Sequence, residues 1–304
     1  MKCAAIDIGT NTILLLILDE HKGVFREVID MSAIVRLGEG LAKSGRLNGP
    51  AMSRTIDALR RYADIARSHG VERLFAVGTA ALREASNSEE FLRTVRNEFG
   101  FNIEVISARR EAYYTYLSVR DDPEVCGGSM TVIDIGGGST EVIAGTEKKF
   151  VGFTSLPMGS VRLTDAFVTH DPPLAEELDR AAAYIRENLS TAPFPEASTL
   201  IGTGGTVTNI ASIIIGIATY DKERVHGSVI ELSDLKEFIM SLARITTGER
   251  KRVKGMETGR EDIIVQGALI LREIMEHGGF ERCTVSAAGV RYGVIYEKCR
   301  EIFN

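Results

Sequence analysis

The chain has 304 residues, 44% of them hydrophobic and 26% charged, and a formal net charge of −6. That length allows two domains with a core each, and the composition excludes low-complexity and collagen-like chains. The negative balance argues against general affinity for a nucleic-acid backbone, so no nucleic-acid partner is expected; a polyanion would need a locally basic cleft or metal ions.

The N-terminus reaches a carboxylate, Asp7, before any apolar stretch of signal-peptide length, and the apolar runs 13–18 and 210–218 are too short to span a bilayer. No membrane contact is expected, and the expected location is cytoplasmic. Cys3, Cys126, Cys283 and Cys299 lack Cys-x-x-Cys spacing and read as small buried residues in a reducing compartment. The five histidines lack metal-ligand spacing.

In chain order, residues 4–8 form a first strand, a polar turn follows, and 13–18 and 24–29 form two more strands. Pro50 opens a helix with Ile56, Leu59, Ala63 and Ala66 on one face. A strand at 74–77 precedes a helix capped by Asn87 or Ser88 and stopped at Gly100. A strand at 103–106 leads into a helix with Glu111 near its start. The second half repeats this plan. Strands are expected at 130–135, 141–144 and 150–156, then a helix after Pro172 and Pro173 to about 189, a strand at 199–201, and a glycine loop at 204 becoming a helix to 216. An amphipathic helix at 233–244, a strand at 283–286 and a closing helix at 290–303 complete the chain.

The repeat is also one of residue identity. Asp7-Ile8-Gly9-Thr10-Asn11-Thr12 returns 127 residues later as Asp134-Ile135-Gly136-Gly137-Gly138-Ser139-Thr140. Two copies of β-β-β-α-β-α-β-α imply two α/β domains over an interdomain cleft, 1–122 and 123–304, with the closing helix 290–304 packing back on the first. Turns of glycine and small hydroxyl residues between strands make anion nests: Thr10, Asn11 and Thr12 in one, Gly136, Gly137, Gly138 and Ser139 in the other. Asp7 and Asp134 at strand ends would repel phosphate, so they are expected to hold Mg²⁺, with Mn²⁺ as an alternative. Gly204, Gly205 and Thr206 form a further candidate phosphate loop. Thr79 and Arg83 follow a strand's carboxyl end, where α/β ligands bind, and a guanidinium there grips two phosphate oxygens. A dinucleotide fold fits poorly, because residues 140–143 after the triple glycine favour a strand over a helix.

These motifs, with Gly78-Thr79-Ala80-Ala81-Leu82-Arg83-Glu84-Ala85-Ser86-Asn87, Leu156-Pro157-Met158-Gly159-Ser160-Val161-Arg162-Leu163 and Gly259-Arg260-Glu261-Asp262, resemble the exopolyphosphatase/guanosine pentaphosphate phosphatase family almost end to end. That family lies within the sugar kinase, Hsp70 and actin superfamily. The resemblance implies two ribonuclease H-like (actin/Hsp70-like) domains, each a mixed β-sheet flanked by helices. It implies terminal phosphate removal from inorganic polyphosphate or guanosine pentaphosphate, with guanosine tetraphosphate as a related ligand and homodimers common. It also gives Glu111 the role of general base, in Ala108-Arg109-Arg110-Glu111-Ala112 where the family has Gly-x-Glu-Glu-Ala. Asp134 and Glu141 would coordinate Mg²⁺, and Arg83 would clamp the terminal phosphate. The segment Gly289-Val290-Arg291-Tyr292-Gly293 departs from the family's Gly-Leu-Arg-Glu-Gly at Val290 and Tyr292. Other readings are an ATP-dependent phosphotransferase on the same scaffold and a non-catalytic sensor of polyphosphate or guanosine tetraphosphate. The basic run 250–254 is a candidate guide for a polyphosphate tail.

Overall fold

The computed structural model describes residues 1–190, 192 and 199–303. The strands and long helices expected from the sequence are present, and the first strand shows why. β1 (Lys2–Ile8) is buried along nearly its whole length, because it lies inside a sheet with both faces covered. The strand alternation sends Ala4, Ile6 and Ile8 into a core with Ala58, Leu59 and Tyr62, while Cys3 and Ala5 face the other way.

The chain divides into two compact units, Met1–Ser118 with Val290–Asn304, and Val119–Gly289. In the first, β2 (Thr12–His21) and β3 (Val24–Ile34) continue from β1 as an antiparallel meander. The short α1 (Leu41–Ser44) and the long α2 (Gly49–Ser68) follow. Asn48 Oδ1 caps α2 by accepting from Ala51 N at 2.8 Å, and Tyr62 anchors it by donating to Ile13 O at 3.2 Å. Burying a residue such as Leu59, 0% exposed on this helix, stabilises by about 1.5–3 kcal/mol. β4 (Arg73–Gly78), α3 (Ala80–Glu84), α4 (Ser88–Phe99), β5 (Ile103–Val105) and α5 (Ala108–Arg120) complete the unit's first segment. The sheet order is β3-β2-β1-β4-β5, with β4 parallel to β1 and β5 parallel to β4.

Asn87 stands at the N-cap of α4 but does not cap it with its side chain. Its amide instead bridges the Leu47 backbone, accepting from N at 2.8 Å and donating to O at 3.0 Å. A buried backbone pair gains more from that amide than the helix end does, which corrects the sequence expectation.

The second unit rebuilds the order. β6 (Ser129–Ile135), β7 (Thr140–Thr146) and β8 (Phe150–Leu156) form the meander, followed by α6 (Ser160–Phe167) and α7 (Ala175–Leu189). Then come β9 (Thr199–Thr203), α8 (Gly204–Ile215), α9 (Lys222–Val225), β10 (Val229–Glu231), α10 (Leu232–Ala243), α11 (Thr247–Arg250), α12 (Ile264–Gly278) and β11 (Arg282–Val285). The sheet order is β10-β11-β9-β6-β7-β8, the first unit's order with one antiparallel edge strand added. α8 begins at Gly204 itself, so Gly204, Gly205 and Thr206 are a helical first turn, where the sequence suggested a preceding loop. In the basic run, Arg250 is 2% exposed and donates to Leu242 O at 2.8 Å and Glu261 O at 3.2 Å. It is a core tie, and Lys251, Arg252 and Lys254 alone of the run's cations are exposed. His226 joins two distant segments: Nδ1 accepts from Ala287 N at 3.2 Å, and Nε2 lies 3.1 Å from Asp122 Oδ2. The hydrogen bond to Asp122 raises the imidazole above its usual 6.5.

The closing helix α13 (Val290–Phe303) packs on β1 and β2, so the first sheet is covered on both faces. A Cβ at Gly293 would stand 2.0 Å from Tyr114 O, so α13 crosses α5 in direct backbone contact there. Two departures from the family pattern, Arg110 and Tyr292, find partners in this corner. Arg110 pairs with Glu297 of α13 and donates to Tyr114 Oη at 3.1 Å. Tyr292 donates at 2.5 Å to Glu27 and lies 2.9 Å from Asp30, which also takes Arg291 in a two-point ion pair at 2.9 and 2.8 Å.

Candidate active site

In each unit the parallel strands deliver their carboxyl ends to one sheet edge, where α/β folds bind ligands. In the first unit these are the ends of β1, β4 and β5, which place residues 9–12, 79–83 and 106–111. In the second they are the ends of β6, β9 and β11, which place residues 136–139, 204–206 and 286–289.

The repeated loops share their closure. Gly9 N donates to Thr12 O at 3.0 Å, and Gly136 N donates to Ser139 O at 3.0 Å. Loop carbonyls are consumed from behind: Asn11 O accepts from Val35 N and Arg36 N, Thr10 O from Gly38 N, and Gly137 O from Val161 N and Arg162 N. Fixing the carbonyls on the protein side leaves an amide-rich outer rim. Asn11 is 5% exposed, and neither its Oδ1 nor its Nδ2 has a hydrogen-bond partner among the described residues. A buried amide left unsatisfied costs about 1–3 kcal/mol, so this one has a donor and an acceptor to offer.

Thr79 stands at the N-cap position of α3, but it is tied to β1 instead, its N donating to Ile8 O at 3.2 Å and its Oγ1 lying 3.4 Å from the same oxygen. One turn on, Arg83 Nη1 donates to Glu111 Oε2 at 2.5 Å and to Ile106 O at 3.0 Å. Glu111 is 7% exposed in the first turn of α5, where the helix N-terminus favours negative charge. Thus two separately predicted residues form one largely buried ion pair. Asp7 is 7% exposed at the end of β1 and lies opposite Leu14.

The second unit differs in that respect. Asp134 lies directly opposite Glu141 across β6 and β7, and Glu141 is 1% exposed. Side chains in such a pair stand about 4.5–5.5 Å apart at Cβ, and two carboxylates there repel each other. Ser155 Oγ donates to Glu141 Oε1 at 2.7 Å and relieves part of that charge. Gly204 has φ of 85°, and a Cβ on it would stand 2.5 Å from Asp134 Oδ1, so glycine keeps open the space around that carboxylate. Gly205 is covered by Arg260, whose Nη2 is 2.0 Å from where a Cβ would be. Thr206 turns its methyl into Gly267 of α12. Behind the glycine loop, a Cβ at Gly159 would meet Gly137 O at 2.4 Å and Gly138 N at 2.6 Å.

Arg260 and Gly159 are the site residues to which sequence reasoning gave no role, although both lie in motifs that carry the family resemblance. Their function is spatial: one guanidinium lies on a helix start and one glycine backs a loop. Among the described residues no three His, Cys, Asp or Glu side chains converge as a metal cluster. The Asp134–Glu141 pair suits a cation that takes few protein oxygens and keeps waters or substrate oxygens for the rest, as Mg²⁺ does.

Two mixed sheets of matching strand order, each with a glycine-closed hairpin at its ligand-binding edge, define the two-domain actin-like class. Within that class the chain belongs to the Ppx/GppA phosphatase family, whose model matches residues 16–301. Exopolyphosphatase 2 of Mycobacterium tuberculosis is 34% identical over 310 residues, covering 96% of this chain and 97% of that protein. The crystal structure of the Aquifex aeolicus family member is 33% identical, with a TM-score of 0.83 over 100% of this chain and 99% of the other. An exopolyphosphatase from Cytophaga hutchinsonii is 27% identical, with a TM-score of 0.90 over 99% of this chain and 98% of the other. No helix among the described residues is long and apolar enough to cross a membrane.

Proposed function

We propose that the chain is an exopolyphosphatase that removes the terminal phosphoryl group of inorganic polyphosphate by attack of water, with Glu111 as general base. The observation that carries this reading is the Arg83–Glu111 pair, with Nη1 and Oε2 2.5 Å apart at the ligand-binding edge of the first sheet. A base gripped by a cation is a poor base. A terminal phosphate offers Arg83 an alternative partner of higher charge, so substrate would draw the guanidinium away and release the carboxylate to orient water and take its proton. Beside that pair in the first unit, the amide-rich rim at residues 10–12 and the orphaned amide of Asn11 would supply further donors to phosphate oxygens; the second unit has a like rim at 137–139 and Arg260 over Gly205.

Asp134 and Glu141, paired across β6 and β7, would hold Mg²⁺, which would supply neutralisation of phosphate charge. The protein's own contribution is to fix the chain end and the water in line, because phosphoryl transfer asks mainly for positioning and electrostatics. The 5′-triphosphate end of guanosine pentaphosphate presents the same terminal anhydride and is the second substrate under this reading.

Orthophosphate release measured with Mg²⁺ across polyphosphates of graded length, guanosine pentaphosphate and ATP tests the proposal. Polyphosphate is expected to give the highest kcat/KM, with loss of activity on adding a chelator. Turnover of ATP that requires an added acceptor would point instead to a phosphotransferase. Tight polyphosphate binding with no release from any substrate would point to a sensor.

A further inference from the structure

Two of the four cysteines meet in the core of the first unit, away from the ligand-binding edge. Cys3 lies near the start of β1 on the face turned to α13, and Cys299 lies in α13. Their sulfurs are 2.6 Å apart, and both residues are 0% exposed. We propose that Cys3 and Cys299 are an oxidisable dithiol that closes to a disulfide when the protein meets a hydroperoxide, stapling the first strand to the closing helix.

The two sulfurs are not equivalent, which gives the reaction a direction. The hydrogen bond from Cys299 lowers the Cys3 thiol, and the N-terminal ammonium and Arg73 add to this against the effect of burial. The same hydrogen bond and burial push Cys299 up. Cys3 is therefore the more acidic of the two thiols and the one that attacks as its thiolate. Cys3 attacks hydrogen peroxide, forming an S–O bond as the O–O bond breaks, and the departing hydroxide takes the Cys299 proton to become water. Cys299 then attacks the Cys3 sulfenic acid; the S–S bond forms, the S–O bond breaks and hydroxide leaves. The two sulfurs give up two electrons in total, and the peroxide ends as water and hydroxide. Because both sulfurs are shielded, the reaction requires local opening of α13 and is slow.

The other two thiols are internal controls. Burial pushes Cys283 up to about 12, and burial with Glu147, Asp121 and Asp122 raises Cys126. The test exposes reduced protein to hydrogen peroxide, alkylates it under denaturing conditions and maps the peptides by mass. The expected product carries two protected thiols and a Cys3–Cys299 cross-linked peptide pair about 2 Da lighter than the sum, reversed by dithiothreitol. The oxidised protein should melt about 5–10 °C above the reduced one, with no such shift in Cys299→Ser. If that variant does not fold, Cys3→Ala serves for the melting comparison, and the mapping of the unaltered protein stands by itself. Four free thiols after exposure that oxidises a control dithiol peptide would overturn the proposal. So would a cross-link through Cys126 or Cys283, or over-oxidised Cys3 without a cross-link.

Discussion

Replacing Glu111 with Gln lowers kcat for orthophosphate release by about 10²–10⁴-fold, the usual contribution of a general base. Polyphosphate affinity is expected to hold within about threefold, because the amide keeps the size of the carboxylate and phosphate binding rests on other groups. The change also removes one half of the Arg83–Glu111 ion pair, so Arg83 is free for phosphate before substrate arrives. Substrate therefore binds at least as well as in the unaltered protein, with no competing carboxylate on the guanidinium. Single-turnover kinetics with binding measured in parallel separates these effects. A variant that binds polyphosphate normally and still turns over at near-normal rate would take Glu111 out of the reaction. A variant that loses binding would make the ion pair, and not the base, its main role.

Gly159→Ala is expected to cost about 100-fold in kcat/KM although residue 159 carries no chemistry of its own. A methyl there would stand 2.4 Å from Gly137 C and O and 2.6 Å from Gly138 N, and all three are backbone atoms with no side-chain freedom to yield. The strain of such overpacking is about 1–3 kcal/mol, and it is relieved by moving the glycine loop out of register with the groups that serve phosphate. A lowered melting temperature with retained circular dichroism should accompany the loss of activity. Gly152→Ala on β8 is the control, because a methyl at that position meets nothing within 4 Å. Equal activity of the two variants would mean that the loop's position does not matter to turnover.

The parts of the fold that were legible in the sequence are those where geometry tolerates few residue types. Gly9 and Gly136 close the same turn with the same hydrogen bond, so chemistry forces the repeat to appear as identity. Three-strand meanders and Pro50-led α2 follow from alternation, periodicity and a proline at a helix start. The sequence is silent where burial is uniform. α12 is buried on almost every side, and a helix without a polar face has no period to read, so residues 264–278 carry no signal. Arg260 escaped for a different reason: its role depends on Gly205, 55 residues away, which no local pattern relates to it. Asn87 read as a cap because its type suits one, but Leu47, 40 residues upstream, claimed its amide. The pairing of Arg83 with Glu111 was likewise invisible, although each residue was found singly.

A phosphorus-31 NMR time course on long-chain polyphosphate with Mg²⁺ tests the main claim most directly. If this protein clips phosphates one at a time from chain ends, the orthophosphate signal grows while the interior signal falls and the end-group signal stays constant. A rising end-group signal, which reports cuts inside the chain, or an unchanged spectrum would contradict it.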